Sequence, residues 1–438
     1  MISWSNIYCE AELYKAAVAL YTRPIFNWKK ALSSGVDQKN FYDFASVGLR
    51  GIDKIHRKLR RKSFQFGNAK KIDYQFNSRM REIYIYSWED RLVDLALFRM
   101  LNQAMHHQFA QNSYAYRAQG FGIDCCQKDI VKTLHQHSSP HFLIKRDIVN
   151  YFGSIDHQIL LDKLAQYIDP HDYLFKLLEQ RVRFSYEDEA QTKVDSVVGV
   201  PFGTSIAGLL ANIYFTKLDH QMKVIKGLKY FRYADDFLIL CRDQKLFNLA
   251  KGLFADELIE LKLTSKKSHE INLEIGESEY FDHLGVRFFG SGHTKLTVEK
   301  QRKIQNLFKY ALRRKKSKIL KIKDPHKRAK LAVTLIKEAL EKGMRNVGII
   351  DYYLRHSKDE AQLKSLDLWL AQLVLKFSLG NGNKKGNFKK ISFQTLRKMG
   401  LPSLVHRRRL LAHSKIDSPF FIWNNHQKEK GAKAFHPH

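Results

Sequence analysis

The alternation of apolar and polar positions divides this chain into helical and strand-like stretches. Residues 1–70 read mainly as helix, with basic faces such as "IDKIHRKLRRKSF". "KKIDYQFNSRMREIYIY", residues 70–86, alternates polar and apolar positions and is rich in β-branched and aromatic side chains. It predicts two strands around a turn at Asn77-Ser78. "WEDRLVDLALFRMLNQAMHHQF" returns to helical spacing. "PHFLIKRDIVNYFGSI" opens as a short apolar strand and ends in a Gly-Ser turn, and "HQILLDKLAQYI" is an amphipathic helix. "SVVGVPFGTSIAGLLANIYFTKLDHQM" predicts a Gly/Pro turn feeding one long, nearly all-apolar helix. "YFRYADDFLILC" predicts strand, tight turn, strand; "LFNLAKGLFADELIELKL" a helix; "FDHLGVRFF" a strand. After residue 290 comes a very basic helical stretch, "EKQRKIQNLFKYALRRKKSKILKIKDPHKRAK". Helical patterns then continue to about residue 379, where "SLGNGNKKGN" reads as a loop. No internal repeat at the spacing of solenoid proteins is evident.

Composition narrows the class. The chain has 438 residues, enough for two to four units with a sizeable core, and 44% of them are hydrophobic. Lys and Arg number 75 against 44 Asp and Glu, a formal charge of +31. A globular protein with that excess usually faces a polyanion. Acidic membrane surfaces also attract such charge, but no uncharged apolar stretch of about 18 residues is present, so no membrane span is expected. The start carries acidic residues early and lacks a basic region followed by an apolar one, so a secretory signal is not expected. Cys9, Cys125, Cys126 and Cys241 have no C-x-x-C spacing. They read as reduced thiols of a cytoplasmic protein, not as disulfides or zinc ligands.

The charge pattern raises one question in the middle of the chain. Asp235 and Asp236 stand side by side between two apolar strand patterns. An Asp-Asp dipeptide alone is most often a solvated turn. Here a tight hairpin would point both carboxylates to one end of a sheet, where they repel and resist desolvation. A divalent cation removes that cost, and magnesium takes hard oxygen ligands from few protein groups, leaving room for phosphate and water. Asp147, where the apolar strand of "LIKRDIVNYF" ends, is the natural third carboxylate. Periodicity alone does not settle the choice.

The order of the remaining segments adds to it. "GVDQKNF", "MREIYIYSWEDRLVDLAL", "NSYAYR", "KRDIVNYFGSIDH", "GVPFGTSIAGLLANIYFTKLD", "FRYADDF", "LTSKKSHE" and "FDHLGVRF" occur in the order and approximate spacing of the bacterial reverse transcriptases. From roughly residue 35 to 290 the chain resembles that group, which holds group II intron, retron and defence-associated enzymes. The C-terminal "GIIDYYLRHSKDEAQLKSLDLWLAQLVLKF" is more loosely similar to their helical thumb. The resemblance implies an α+β right-hand polymerase, with N-terminal helices and fingers in 1–140, an antiparallel palm in 141–290 and a basic helical thumb and extension in 291–438.

The resemblance also implies roles. Asp147, Asp235 and Asp236, with the Ile148 carbonyl, would hold two Mg2+ ions, for which Mn2+ is a substitute. Phe152, five residues after Asp147, matches the aromatic gate that abuts the 2′ carbon of the incoming sugar; by itself it would read as a core aromatic. Arg81 matches an arginine that meets the triphosphate, joined by Lys70 or Lys71. Tyr233 and Ala234 would back the primer terminus and the nucleotide. Lys267, or its neighbour Lys266, matches a lysine that protonates the leaving pyrophosphate. Arg91 and Arg117 match positions that are structural or template-facing. "FDHLGV" would form the hairpin that grips the primer end, with His283 where Phe is usual.

Three departures stand out. Phe202 occupies the place of a glutamine in a Pro-Gln-Gly loop, Ala207-Gly208 replaces a Ser-Pro pair, and "DYQF" replaces Ile-Pro-Lys in the fingers. No Cys/His endonuclease module and no helicase motif is present. The resemblance therefore points to a cytoplasmic, stand-alone defence polymerase. It would take deoxynucleoside triphosphates and an RNA template, a dedicated non-coding RNA, and release a DNA product. A homo-oligomer or a partner protein is a further implication. The alternatives are a group II intron maturase without its endonuclease and a non-catalytic RNA-binding scaffold.

Overall fold

The computed structural model describes residues 1–22, 34–76, 79–117, 121–136, 141–267, 271–341, 350–351, 353–354, 357–380 and 384–413. Within them run eleven strands: β1 Ala69–Phe76, β2 Arg79–Ile85, β3 His141–Asp147, β4 Ser185–Glu187, β5 Lys193–Asp195, β6 Lys229–Tyr233, β7 Asp236–Cys241, β8 Ile271–Ile275, β9 Tyr280–His283, β10 Val286–Phe289 and β11 Thr294–Leu296. Helices account for most of the rest, so the class is α+β. The chain forms two compact units. One comprises Met1–Thr133 and Ser139–Gly276; the other comprises Leu134–Ser138 and Glu277–His426, of which the described part ends at His413. Each has its own apolar core, running from Trp4 to Leu263 in the first and from Leu296 to Leu411 in the second.

The first unit holds two sheets. The outer one has the order β2-β1-β4-β5. Its β1–β2 hairpin is the one that alternation predicts, although the Asn77-Ser78 turn lies outside the described residues. The inner sheet has the order β6-β7-β3-β8, with every neighbour antiparallel. The unbroken apolar run of β7 is explained by its surroundings. Phe237 is fully buried, its ring edge-on to Phe215 at 4.9 Å and to Phe254 of the helix Gln244–Glu260 at 5.0 Å. A strand covered on both faces has no use for polar alternation.

Local chemistry sets most helix starts. Ser87, Asp156, Asp172 and Asp243 each accept a first-turn backbone N–H, and Asn40 with Asp43 makes a reciprocal capping box. The predicted single helix after the Pro-Phe-Gly turn is two helices, Ala207–Tyr214 and Thr216–Val224. The Thr216 hydroxyl donates to the carbonyls of Asn212 and Ile213, which diverts the backbone ladder at Phe215.

The second unit is mainly helical around a small sheet of order β11-β10-β9. "FDHLGVRFF" is not one strand but a hairpin. Leu284 and Gly285 take φ of 49° and 81°, the paired positive values of a two-residue turn whose twist matches that of its strands. The long helix Val298–Arg313 starts at a Thr297 cap, and Glu360–Leu379 starts at Asp359 and stops at Gly380 with φ of 73°. The segment read as a loop beyond it contains a further helix, Lys384–Lys390. Tyr352 lies outside the described residues, whereas Tyr353 and Trp369 pack against the core of this unit.

Candidate active site

Two strands carry the carboxylates to one sheet end. In the β3–β7 register Asp147 lies directly opposite Asp236. Directly opposed residues of an antiparallel pair project to the same face, with Cα atoms about 5 Å apart. Asp235 completes the group from the β6–β7 turn, where Tyr233 pairs with Asp236 and Ala234 takes a φ of 56°. That left-handed conformation is uncommon for a residue with a side chain. Its persistence requires surroundings that over-determine it.

Those surroundings are a buried ion network not anticipated from the sequence. Arg232 and Asp219 are both fully buried. Arg232 donates to both Asp219 oxygens, at 2.8 and 2.5 Å, to Asn212 at 3.0 Å, to Ser113 at 2.8 Å and to the Ala234 carbonyl at 3.3 Å. Tyr230 adds its hydroxyl to Asp219 at 2.8 Å. Burial alone would lower the Arg232 pKa, but Asp219 holds it above the ordinary range. Backbone bonds from Arg232 to Asn112 and from Tyr114 to Arg232 tie the segment "NSYAYR" to the same strand. The signal in sequence was an arginine and an aspartate inside apolar patterns, a combination that burial allows only when charges are paired.

The three acidic groups are less well compensated. Burial pushes the Asp235 carboxyl up to about 6, and the charges of Asp147 and Asp236 push in the same direction. Asp236 is raised as well, by burial first and by Asp147, against the pull of Lys145 and Lys266. Lys266 donates its ammonium to Asp147 Oδ1 at 2.6 Å and its backbone N–H to the Asp147 carbonyl at 2.7 Å. The resemblance gave Lys267 first. The bridge between Ile148 and Ser265 instead presents Lys266 to the carboxylates and leaves Lys267 exposed.

The donor set suits a hard divalent cation, since carboxylates and a backbone carbonyl supply only oxygen. Among the described residues, however, no three His, Cys, Asp or Glu side chains are drawn together closely enough to enclose an ion. As folded, Lys266 supplies a positive charge 2.6 Å from Asp147. Ile148, whose carbonyl was expected to assist, is fully buried beside this pair.

The expected nucleotide-facing residues are brought together in part. Phe152 lies in the short helical turn Tyr151–Ser154, which follows β3 through Asn150 at a φ of 42°. Its ring is edge-on to Phe202 at 5.3 Å. The loop that carries Phe202 is tied on both sides. Val200 donates to the Phe152 carbonyl at 2.8 Å, and Tyr84 of β2 donates to the Phe202 carbonyl at 3.4 Å. Asp94, fully buried, takes the backbone N–H groups of Ser205 and Ile206, and Arg181 pairs with it at 3.1 Å. Arg81 stands over the Phe202 ring, 5.5 Å from its centre. Lys71 is turned to another use, pairing with Glu82 across the hairpin at 2.5 Å, and Lys70 is exposed. Tyr233 is half-buried and Ala234 buried behind the turn. Arg91 and Arg117 have structural surroundings. Arg91 lies over Trp88 and donates to the Ser34 carbonyl, while Arg117 binds the carbonyls of Ala110, Ser113 and His106.

The family model for reverse transcriptase (RNA-dependent DNA polymerase) matches residues 69–288, which is 220 of the 438 residues. The Escherichia coli retron Ec83 reverse transcriptase is 25% identical over 189 residues, covering 42% of this chain and 59% of that protein. The putative COX1/OXI3 intron 2 protein of Saccharomyces cerevisiae is 21% identical over 179 residues, 40% of this chain and 20% of that one. The chain thus matches about a fifth to three fifths of the length of these relatives. Among solved structures, apo telomerase of Candida tropicalis superposes with a TM-score of 0.45 at 10% identity, over 85% of this chain and 69% of that one. The matched stretch runs from β1 through the Asp235-Asp236 turn to β10 and takes in both sheets of the first unit. The chain, with the right-hand polymerase fold, belongs to the reverse transcriptase family.

Proposed function

We propose that this protein is an RNA-directed DNA polymerase that adds deoxynucleotides with the help of two magnesium ions. The observation that carries the reading is the register that sets Asp147 opposite Asp236 with Asp235 in the adjoining turn. Asp147, Asp235, Asp236 and the Ile148 carbonyl would hold the ions. When bound, such ions would supply a Lewis acid that lowers the pKa of the primer 3′-hydroxyl and charge that offsets the triphosphate. The chain's own groups do the rest. Arg81 offers its guanidinium to phosphate oxygens. Phe152 would stand against the 2′ position of the sugar and exclude a hydroxyl there. Lys266, already at Asp147, would release that carboxylate to a cation and stand beside the leaving pyrophosphate.

The second unit supports a duplex-tracking role. Arg313, Arg314, Lys315 and Lys316 form an exposed basic run where two helices meet. Such a run binds backbone phosphates by charge and releases counterions, so affinity falls steeply with salt and depends little on sequence. Replacing these four residues should flatten the salt dependence of duplex binding.

For the biological setting, we favour copying of a dedicated non-coding RNA in a cytoplasmic antiphage system, alone, as a homo-oligomer or with a partner protein. Support comes from an intact carboxylate set combined with Phe202 in the template loop, and from similarity to a retron reverse transcriptase. No helix among the described residues is long and apolar enough to cross a membrane. Similarity to intron-encoded proteins keeps a maturase role as the second reading. The test is primer extension by the purified protein on its co-purified RNA and on unrelated RNAs, with magnesium or manganese and with products sequenced. Deoxynucleotide incorporation confined to its own RNA is the expected result. Efficient copying of every template would remove the dedicated-RNA reading, and no incorporation under any condition would remove the polymerase reading. Phe202→Gln should broaden template use if that ring restricts it.

A further inference from the structure

Tyr116, in the segment "NSYAYR", packs against Phe152 near the site. It is a tyrosine with a φ of 56°, and the residue remains 39% exposed. A side chain in that conformation is costly unless the backbone is clamped. Here it is clamped from three sides. Asn212 donates to the Ala115 carbonyl at 2.6 Å and Asn102 to the Tyr116 carbonyl at 3.0 Å. The Arg117 guanidinium binds the carbonyls of Ala110 and Ser113 just upstream, at 2.7 and 2.9 Å. A partly exposed residue does not require such an arrangement for the sake of the core.

The ring's neighbours suggest what the clamp is for. It lies on the bare Cα of Gly208, where an added Cβ would come within 2.5 Å of ring atoms. Its other side meets Phe152, edge-on, with centres 6.1 Å apart. Phe152 therefore stands between Tyr116 and Phe202, with Tyr151 behind it at 5.7 Å. Burial, then the negative charge of Asp235, raises the Tyr116 hydroxyl to about 12, so the ring also feels the carboxylate turn. Phe202, Gly208 and Tyr116 thus form one unit around Phe152, and two of the three are the departures noted in the sequence.

We propose that Tyr116, seated on Gly208, is a positioning residue for sugar choice, fixing the angle at which Phe152 meets the incoming nucleotide. This rests on the polymerase reading and on Phe152 as the gate. Edge-to-face rings have a preferred geometry, so removing one neighbour frees Phe152 to rotate. Small displacements at a reacting centre cost large factors in rate.

The experiment measures kcat and KM for a deoxynucleotide and the matching ribonucleotide on one primer–template, in wild type, Phe152→Ala, Tyr116→Phe, Tyr116→Ala, Gly208→Ala and the Tyr116→Ala/Gly208→Ala pair. Tyr116→Phe should keep the wild-type preference, because the ring acts and the hydroxyl does not. Tyr116→Ala and Gly208→Ala should each raise relative ribonucleotide use by roughly tenfold, mainly through a lower ribonucleotide KM. The pair should go no further than Tyr116→Ala alone, since both changes vacate the same seat. A shifted preference in Phe152→Ala with none in Tyr116→Ala overturns the proposal and leaves the polymerase reading standing. So does a fully additive pair, or a Tyr116→Ala protein that melts lower but discriminates normally. If Gly208→Ala does not fold, the Tyr116 variants decide the matter alone. Absence of any incorporation by the wild type removes both readings.

Discussion

Arg232 and Asp235 lie three residues apart on one hairpin, and the fold treats their charges in opposite ways. Arg232 is fully buried, and its guanidinium is matched by Asp219, Asn212, Ser113 and a carbonyl. Asp235 is partly buried next to two more carboxylates, and its carboxyl is pushed up to about 6. The first arrangement is what a structural charge looks like: desolvation is offset by a partner and by satisfied hydrogen bonds. The second is what a working site looks like, where like charges are kept close at a local cost. The contrast also assigns causes. The satisfied network holds the turn, through the Ala234 carbonyl, beside the crowded carboxylates.

The largest effect should come from neutralising the acidic side of this pair of regions. Asp235→Asn and Asp236→Asn should each reduce incorporation by at least about a thousandfold, as removal of an essential group in a concerted site does. Their melting temperatures should stay the same or rise, because a repulsion is removed. Near-normal incorporation with magnesium would place these aspartates outside the chemistry.

The basic side should respond in the reverse sense. Arg232→Met strands Asp219 in the core and should cost about 3–5 kcal/mol in urea unfolding, as broken buried pairs do. Replacing both partners with apolar residues should cost less than the sum of the single changes. A small loss in Arg232→Met would show that the hairpin does not depend on the network.

Next in size is the response to cations. At a hundred times its dissociation constant, a divalent ion that binds only the folded state adds about 2.7 kcal/mol of stability. Magnesium should raise the melting temperature of the wild type and leave an Asp235→Asn/Asp236→Asn protein unmoved. Equal shifts in both would mean that the ions bind elsewhere.

The smallest effect sharpens the comparison in the second unit. Asp359 is buried, which by itself raises its pKa, yet the Gln362 N–H, Lys295 at 2.9 Å and His293 at 3.5 Å hold it down to about 2. A carboxylate depressed below its unfolded value contributes stability above pH 4 that disappears as pH falls through about 2. Asp359→Asn, which keeps the helix cap, should therefore cost about 2 kcal/mol at neutral pH and almost nothing in strong acid. A loss that does not vary with pH would mean that shape, not charge, is at work there.

Much of this was legible in the sequence. The β1–β2 and β6–β7 hairpins follow from alternation and from apolar runs flanking a turn, both of which are local. The helices Trp88–Ala104 and Gln244–Glu260 follow from helical spacing, also local. Where legibility failed, a competing local interaction or a short turn was the reason. Thr216 breaks an apolar helix by bonding its own preceding carbonyls, and Leu284-Gly285 folds an apolar stretch back on itself with only one glycine to signal it. The placement of Asp147 and Asp236 at strand ends was legible because charges inside apolar strands are rare. The choice between Lys266 and Lys267 was not, because a shift of one residue reverses which side chain faces the sheet end.

The sequence by itself determined the β1–β2 hairpin, the apolar strands that end in Asp147 and flank Asp235-Asp236, and the large excess of positive charge. These properties depend on neighbours within a few positions, so a linear reading captures them. Only the tertiary structure decided that Asp147 lies opposite Asp236, that Asp219 neutralises Arg232, and that Tyr116 rests on Gly208. Each of these joins segments distant in the chain through strand register or close packing. No periodicity records such pairings, because register and packing are settled by which surfaces exclude water together, and that is a property of the whole fold.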